Sequence, residues 1–551
     1  MKRTLKLLAA ILPLILISFG QAAASQQVRI GLYFNSTSRT NAVLQSASLS
    51  NTEGLSVSLL LTETVRLPLT YTQVQIAPLA AGRNMVQIEA GRTPDEVLIA
   101  AREARSRGFI AYLVYRSDSS GLPYKAWVEG IPATVRALGY PTAFAAATQG
   151  ELLILNDPSM SDIGLITDGR FPDGRSLLLL TPLGSRPTRI AAPGQFTRNY
   201  DGAFELSVSN SRLAVVNILD LERYVLGVVP FEMSDSWPLE ALKAQAVAAR
   251  SYALANLNKH RALGFSLCDS PGCCQKYAGF DERFTNSLRA VSETAGRVAR
   301  FNGRVSELFY HSNSGGNTEN SEEVWANRVE YARAVSDPLS VSETLVTHLL
   351  SRANNNTAFP ARWVRTHQRE DLQSILRTTA SLDVGTILEI ASLARSTGGR
   401  HTRLVVRGTA GEVLIERHNI RSAFSLLRQN PESGQITREP LPSTLFDVVP
   451  VHHAVHVAGA GGVVREIPLN SAVYLSTAEG NKSIDTGTLD VHLSNGTLHR
   501  VVSRVPMAFS FQGRGWGHGV GMSQWGAFEK ARRGLNFEQI LRFYFQGITI
   551  E

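Results

Sequence analysis

Glu232 stands in the run Val228, Val229, Pro230, Phe231, Glu232, Met233, a single carboxyl framed by apolar neighbours. Such a frame strips hydration from the charged form, raises the pKa and leaves a group able to carry a proton near neutral pH. Further along, Arg250 interrupts the apolar text AVAARSYAL. A guanidinium facing a core needs an anionic partner or ligand, and Glu232 is the candidate nearby, with a purely structural ion pair as the plain alternative. The stretch from Glu307 to Asn327, ELFYHSNSGGNTENSEEVWAN, breaks a strand with a polar loop holding His311, Ser312 and Ser314, groups suited to hydroxylated ligands. Near the C-terminus, GRGWGHGVGMSQWGA sets His518 among glycines and follows it with Gln524. Those glycines permit close backbone approach, and Trp516 and Trp525 offer faces for sugar rings. A glycine-rich turn around a core histidine is the plainer reading. No Gly-Lys-Ser/Thr follows, so this is not a phosphate loop.

Cys268, Cys273 and Cys274 are the chain's three cysteines. So few do not make a disulfide framework, which leaves a local bridge (Cys268 to Cys273 or Cys274), a metal site or chance. His452, His453 and His456 lack the glutamate of a zinc-protease motif.

These groups need elements to hold them. A helix is expected from Trp237 to His260, capped by Asp235 or Ser236, with Pro238 in its first turn and enough alanine for close packing. Strands are expected from Val28 to Leu61, from Arg189 to Val229 and from Leu445 to Met507, and further helices from Val346 to Arg377. Between Asn84 and Ile131 the pattern changes to strand, helix, strand, strand, with Gly108 closing the helix. The fold class is α+β, rich in strands. At 551 residues the chain has room for three or four domains of roughly 150 residues each.

Hydrophobic residues make up 44% and charged residues 19%, which excludes a disordered chain and a multi-span membrane protein. The net charge is +8, part of it from Lys2, Arg3 and Lys6, and no long basic run occurs. Nucleic acid is therefore not the expected partner, whereas an anionic polymer such as cell wall fits. Lys2 to Ser25 reads as an export signal (residues 1–24), with an apolar run from Leu7 to Phe19 before a small-residue stretch; an uncleaved membrane anchor is the alternative. Either way the protein is expected outside the cytoplasm.

Taken in order, the texts ERYVLGVVPFEMSDSWPLEALKAQAVAARSYAL, CDSPGCCQKYAG, FYHSNSGGNTENSEEVW and GRGWGHGVGMSQWGA resemble the SpoIID family, stage II sporulation protein D and its amidase-enhancer relatives. Ile387 to Leu426 resembles the family's strands between the last two motifs, so the likeness runs over residues 190–551. It implies a peptidoglycan lytic transglycosylase acting on glycan strands stripped of stem peptides, in wall remodelling or sporulation. Glu232 matches the catalytic carboxylate, Arg250 the helix arginine, and Tyr331 and Arg333 a pair after the Gly-Gly loop. His311, Ser312, Ser314, His518 and Gln524 would bind substrate. Relatives that stimulate a wall amidase imply the other reading, a non-catalytic wall binder. The resemblance implies no required cofactor. It does imply a zinc site on Cys268 and Cys274 with an upstream histidine, although Ala262 and Leu263 stand where that histidine would fall and His260 is the closest imidazole. The unit at 84–150 resembles a SPOR domain, a small peptidoglycan-binding module, and residues 25–83 form a separate β segment before it.

Overall fold

The computed structural model describes residues 26–34, 44–80, 82–116, 120–146, 152–158, 163–168, 176–342, 362–380, 382–429, 436–452 and 454–551 except 459–463, 469–473, 478–479, 484–489, 495–498 and 504. The expected export signal lies outside the described residues. Among these residues no helix is long and apolar enough to cross a membrane. The chain is a mixed, strand-rich α+β protein and divides into two compact units. One runs through Tyr224 and includes Ala262–Ser266; the other comprises Val225–Arg261 and Leu267–Glu551.

The first unit is built on one long mixed sheet. Its alternating apolar residues bury one face of each strand, as in Thr64–Pro78, where Leu67, Leu69, Tyr71, Val74 and Ile76 are buried and their neighbours mostly exposed. Strand Gln27–Tyr33 pairs antiparallel with Arg212–Asp220, which pairs with Ala203–Ser209. The sheet continues through Leu178–Pro182, the long hairpin Ala47–Leu60 and Thr64–Pro78, then Leu152–Asn156 and Gly164–Asp168. The expected strand, helix, strand, strand order follows as Met85–Gly91, Pro94–Ser106, Ala111–Tyr115 and Tyr124–Glu129. Thr93 Oγ1 accepts the Glu96 N–H at the start of that helix, and Gly108 takes φ +92° after its end.

The 25–83 and 84–150 segments contribute to one sheet, joined through Thr64–Pro78, Leu152–Asn156, Gly164–Asp168 and Ala111–Tyr115. Strands between Thr188 and Asp220, expected in the family-like region, also belong to this first unit, where Thr188–Ala191 pairs with Ala47–Leu60 and Arg212–Asp220 with Gln27–Tyr33.

The second unit is organised by helix Leu239–Ala255. Its Ala241, Ala244, Ala246, Ala248, Ala249 and Ala253 are fully buried, so it is enclosed on all sides rather than along one stripe. Helices Thr285–Glu293, Gln524–Arg532 and Phe537–Tyr544 pack on it. The sequence placed its cap at Asp235 or Ser236; the helix in fact starts after Pro238 without a side-chain cap. Asp235 serves another helix, accepting the Ser287 N–H at 2.7 Å and the Asn286 N–H at 3.3 Å at the first turn of Thr285–Glu293.

A second core forms around Trp363, Leu404, Phe424, Phe446 and Phe511. Helices are expected over 346–377; among the described residues of that range, Arg362–Gln368 is a strand of alternating burial paired antiparallel with Ala508–Arg514, and Arg369–Ala380 is helical. The alternating burial of Trp363, Arg365 and His367 is not written in the text RWVRTHQ, whose two apolar residues are adjacent; pairing with Ala508–Arg514 decides the strand.

Candidate active site

Glu232 ends a single short helix, Val229–Glu232, immediately before the long buried helix. Its carboxylate lines a cleft of about 920 Å³ lying wholly within the second unit. Oε1 accepts the Lys276 backbone N–H at 2.8 Å, and Oε2 accepts the Gln524 side-chain amide at 3.4 Å. Burial pushes the carboxyl pKa up, against the opposing pull of those two donors. The Lys276 amide is held by its neighbour. Gln275 is buried, donates from Nε2 to the Ala249 carbonyl of the long helix at 3.2 Å, and accepts the Tyr310 hydroxyl at 2.8 Å.

Two histidines share the cleft. His311 Nδ1–H donates to the Val520 carbonyl at 3.1 Å, which leaves Nε2 as a buried acceptor with no partner among the described residues. His518 Nδ1 accepts the Val520 N–H at 3.1 Å, so its proton sits on Nε2. The rings lie 5.4 Å apart. Burial is the main reason that His311 is held well below the ordinary imidazole range and His518 at about 3, so both are neutral at physiological pH. The glycines beside them make room: Gly517 has φ +107°, and a Cβ there would come 2.8 Å from His311 Cβ.

Of the residues singled out by sequence, Glu232, His311, Ser312, His518, Gln524 and Cys274 line the cleft together. Others do not. Ser314 is fully buried beneath, bonding Asp337 Oδ2 at 3.0 Å and Ser340 Oγ at 2.6 Å in a network closed by Lys530 and Tyr544. Arg250 is fully buried and donates to the Arg297 carbonyl at 3.0 Å, away from the cleft lining. Arg333 makes a two-pronged pair with Glu322, both contacts 2.6 Å, and Tyr331 donates to the Glu307 carbonyl at 3.2 Å; neither lines the cleft. That pairing holds Glu322 at about 2, well below the usual carboxylate range. Trp516 lines the cleft, but Trp525 packs on Trp237 at 4.4 Å, and Trp325 takes its place in the lining. Arg400 and Arg421 also line it and were not singled out, because nothing in the text around them separates them from the chain's other arginines.

None of the three cysteines is in a disulfide, and His260 lies beside them. Cys268 Sγ lies 3.6 Å from Cys274 Sγ, and His260 Nε2 lies 3.3 Å from Cys273 Sγ and 3.4 Å from Cys274 Sγ. All four ligand atoms fall within 4.8 Å of one another. Tetrahedral zinc, with Zn–S near 2.3 Å and Zn–N near 2.0–2.1 Å, sets ligand edges of roughly 3.5–3.8 Å, so the set fits a Cys3His site. The disulfide considered from sequence is not formed. The neighbouring Cys268 thiol and burial push the Cys274 thiol up, an arrangement that a cation would relieve. Cys273, the thiol that a pairing scheme left over, would be the fourth ligand of such a site.

The family described as Stage II sporulation protein, SpoIID, matches residues 209–301, the segment that holds Glu232, the long helix and the cysteines. The chain carries a SpoIID family domain. A domain of unknown function, DUF8618, matches residues 318–462. An amidase enhancer of Bacillus subtilis is 27% identical over 328 residues, covering 59% of this chain and 40% of that protein. An uncharacterized protein of Brachyspira hyodysenteriae is 27% identical over 359 residues, covering 64% and 74%. Stage II sporulation protein D of Bacillus subtilis is 24% identical over 349 residues, covering 61% and 75%. The chain thus spans well under half the length of the amidase enhancer. The cleft draws its lining from both matched segments and from between and beyond them: Glu232, Cys273 and Cys274 from the SpoIID segment, Arg400 and Arg421 from the DUF8618 segment, and His311 and Gln524 from outside either match.

Proposed function

We propose that this protein is a lytic transglycosylase that cleaves peptidoglycan glycan strands, with Glu232 as its acid and base. The observation carrying this reading is the Glu232 carboxyl itself: raised by burial, fixed by the Lys276 N–H and Gln524, and placed in a cleft with aromatic and hydrogen-bonding walls. Glycoside hydrolysis usually takes two carboxylates. One suffices where N-acetylmuramic acid supplies its own C6 hydroxyl as nucleophile. The protonated Glu232 donates to the glycosidic oxygen as the bond to C1 breaks; the resulting carboxylate takes the C6 hydroxyl proton as that oxygen closes on C1, giving a 1,6-anhydro end and restoring the acid. His311, with its bare Nε2, accepts a sugar hydroxyl, and Trp325 and Trp516 offer ring faces. Arg250, Tyr331 and Arg333 act as supports of the cleft walls. Zinc on His260, Cys268, Cys273 and Cys274 would tie down the loop that ends at Lys276, a structural role in which the metal supplies rigidity. The unit at 84–150 is proposed to hold the enzyme on the wall, raising local substrate concentration, and the protein to act as an exported one.

Mass spectrometry of fragments released from peptide-stripped strands tests this. Anhydro-ended fragments from the native chain, absent with Glu232→Gln, are the expected result. Strand binding without cleavage would favour the second reading, a binder that stimulates a partner amidase, which the name of the amidase enhancer relative supports.

A further inference from the structure

Two guanidinium groups in the cleft have no counter-ion. Arg400 is 1% exposed; its Nη2 donates to the Ser314 carbonyl at 2.6 Å, while Nε and Nη1 have no partner. Arg421 donates from Nε to the Leu441 carbonyl at 2.8 Å. Among the described residues neither closes an ion pair. Glu319 also lines the cleft and its charge is felt at Arg400, but its oxygens are taken by the Ser396 hydroxyl and, at 2.8 Å, by the Asn320 N–H. Burial pushes the Glu319 pKa up, and among the described residues its carboxylate makes no ion pair with Arg400. Arg400 is brought down to about 10 by burial and then by the repulsion of Arg421, and Arg421 to about 10 by burial and then by Arg365. Both lie in the segment whose function is unassigned, and the glycine-rich motif is shaped around one of them. A Cβ on Gly519 would sit 2.5 Å from Arg400 Nε. A buried cation without a partner is costly, and a cleft that keeps the buried Arg400 beside the half-buried Arg421 is complementary to an anion.

We propose that Arg400 and Arg421 form a carboxylate-binding subsite that reads the free lactyl carboxylate exposed on N-acetylmuramic acid once its stem peptide has been removed. The assignment rests on the glycan-strand reading above and adds to it the residues that choose the strand. A lactyl group still joined to a peptide is a neutral amide there, and offers the guanidinium groups no charge. The carboxylate of a stripped residue accepts charge-assisted hydrogen bonds of the kind arginine forms in pairs.

The test is binding by the full chain carrying Glu232→Gln, so that strands stay uncut, measured by fluorescence anisotropy at fixed ionic strength. Three ligands are compared: peptide-stripped strands, the same strands with their carboxylates converted to methylamides, and intact peptide-bearing strands. Stripped strands are expected to bind about tenfold more tightly than either of the others. Adding Arg400→Gln or Arg421→Gln should abolish that preference while leaving methylamide strands bound as before. Equal binding of stripped and methylamide strands by the Glu232→Gln chain, or a preference that survives both arginine changes, overturns the proposal. Intact strands binding as well as stripped ones would move the recognised carboxylate to the stem peptide and overturn it too. Should Arg400→Gln not fold, the more accessible Arg421→Gln decides. Cleavage by the unaltered chain is scored separately. Its failure would end the transglycosylase reading and leave the carboxylate preference to stand or fall on the binding arms.

Discussion

Glu232→Gln separates chemistry from structure, and the geometry says how. The amide keeps the size of the carboxyl, its oxygen can still accept the Lys276 N–H now 2.8 Å from Oε1, and its remaining position still faces Gln524. What is lost is the proton. General acid and base catalysis contributes about 10²- to 10⁴-fold, or about 3–5 kcal/mol of barrier at 1.36 kcal/mol per tenfold, so release of anhydro fragments should fall by that much. Stability should move the other way. The folded-state pKa of Glu232 is raised, so the native chain binds more protons here than the unfolded chain, and stability falls as pH rises from the unfolded carboxyl pKa through the folded one. The amide does not titrate, so at neutral pH the variant should unfold at the same urea concentration as the native chain or a higher one. Activity of the native chain should decline as pH rises through the Glu232 pKa, because the acid loses its proton. Urea melts at pH 5 and pH 8 alongside fragment analysis check this. Retained cleavage in the variant, or a loss of cleavage that tracks a loss of stability, would refute the reasoning.

Three further outcomes are expected. Elemental analysis of the purified chain should find about one zinc per molecule, and a strong chelator or Cys268→Ser should lower the melting temperature; a metal-free chain with an unchanged melt after thiol alkylation would remove the site. Breaking the buried pair of Lys530 Nζ and Asp337 Oδ1, 2.5 Å apart and almost wholly excluded from water, by Lys530→Met should cost about 3–5 kcal/mol in denaturant unfolding, since it strands the Asp337 charge. Gly519→Ala should destabilise the chain by about 1–2 kcal/mol or more, from φ +87° alone and further from the collision with Arg400, whereas a neutral result would mean that the guanidinium does not rest there.

The sequence by itself determined the chemistry of single groups and the local elements. Glu232 in its apolar frame announced a carboxyl with a raised pKa, and the alternation of residues 64–78 announced a half-buried strand, because hydration and period-two burial are set by near neighbours in the chain. The family texts likewise pointed to the segment that matches SpoIID. What joined these parts was decided by contacts between distant residues. The donors to Glu232 come from Lys276 and Gln524, and the second of these lies 292 positions away. Arg250 looked like its partner by proximity in the text, yet the fold buries that guanidinium outside the cleft lining, where it donates to the Arg297 carbonyl. His260 and Cys273 came within reach of Cys268 and Cys274 only in the folded chain, which spacing alone could not show. Arg400 and Arg421 acquired meaning in the same way: an arginine is ordinary in sequence, and becomes a candidate site only when folding places it in a cleft without an ion pair, as it does the buried Arg400 and the half-buried Arg421.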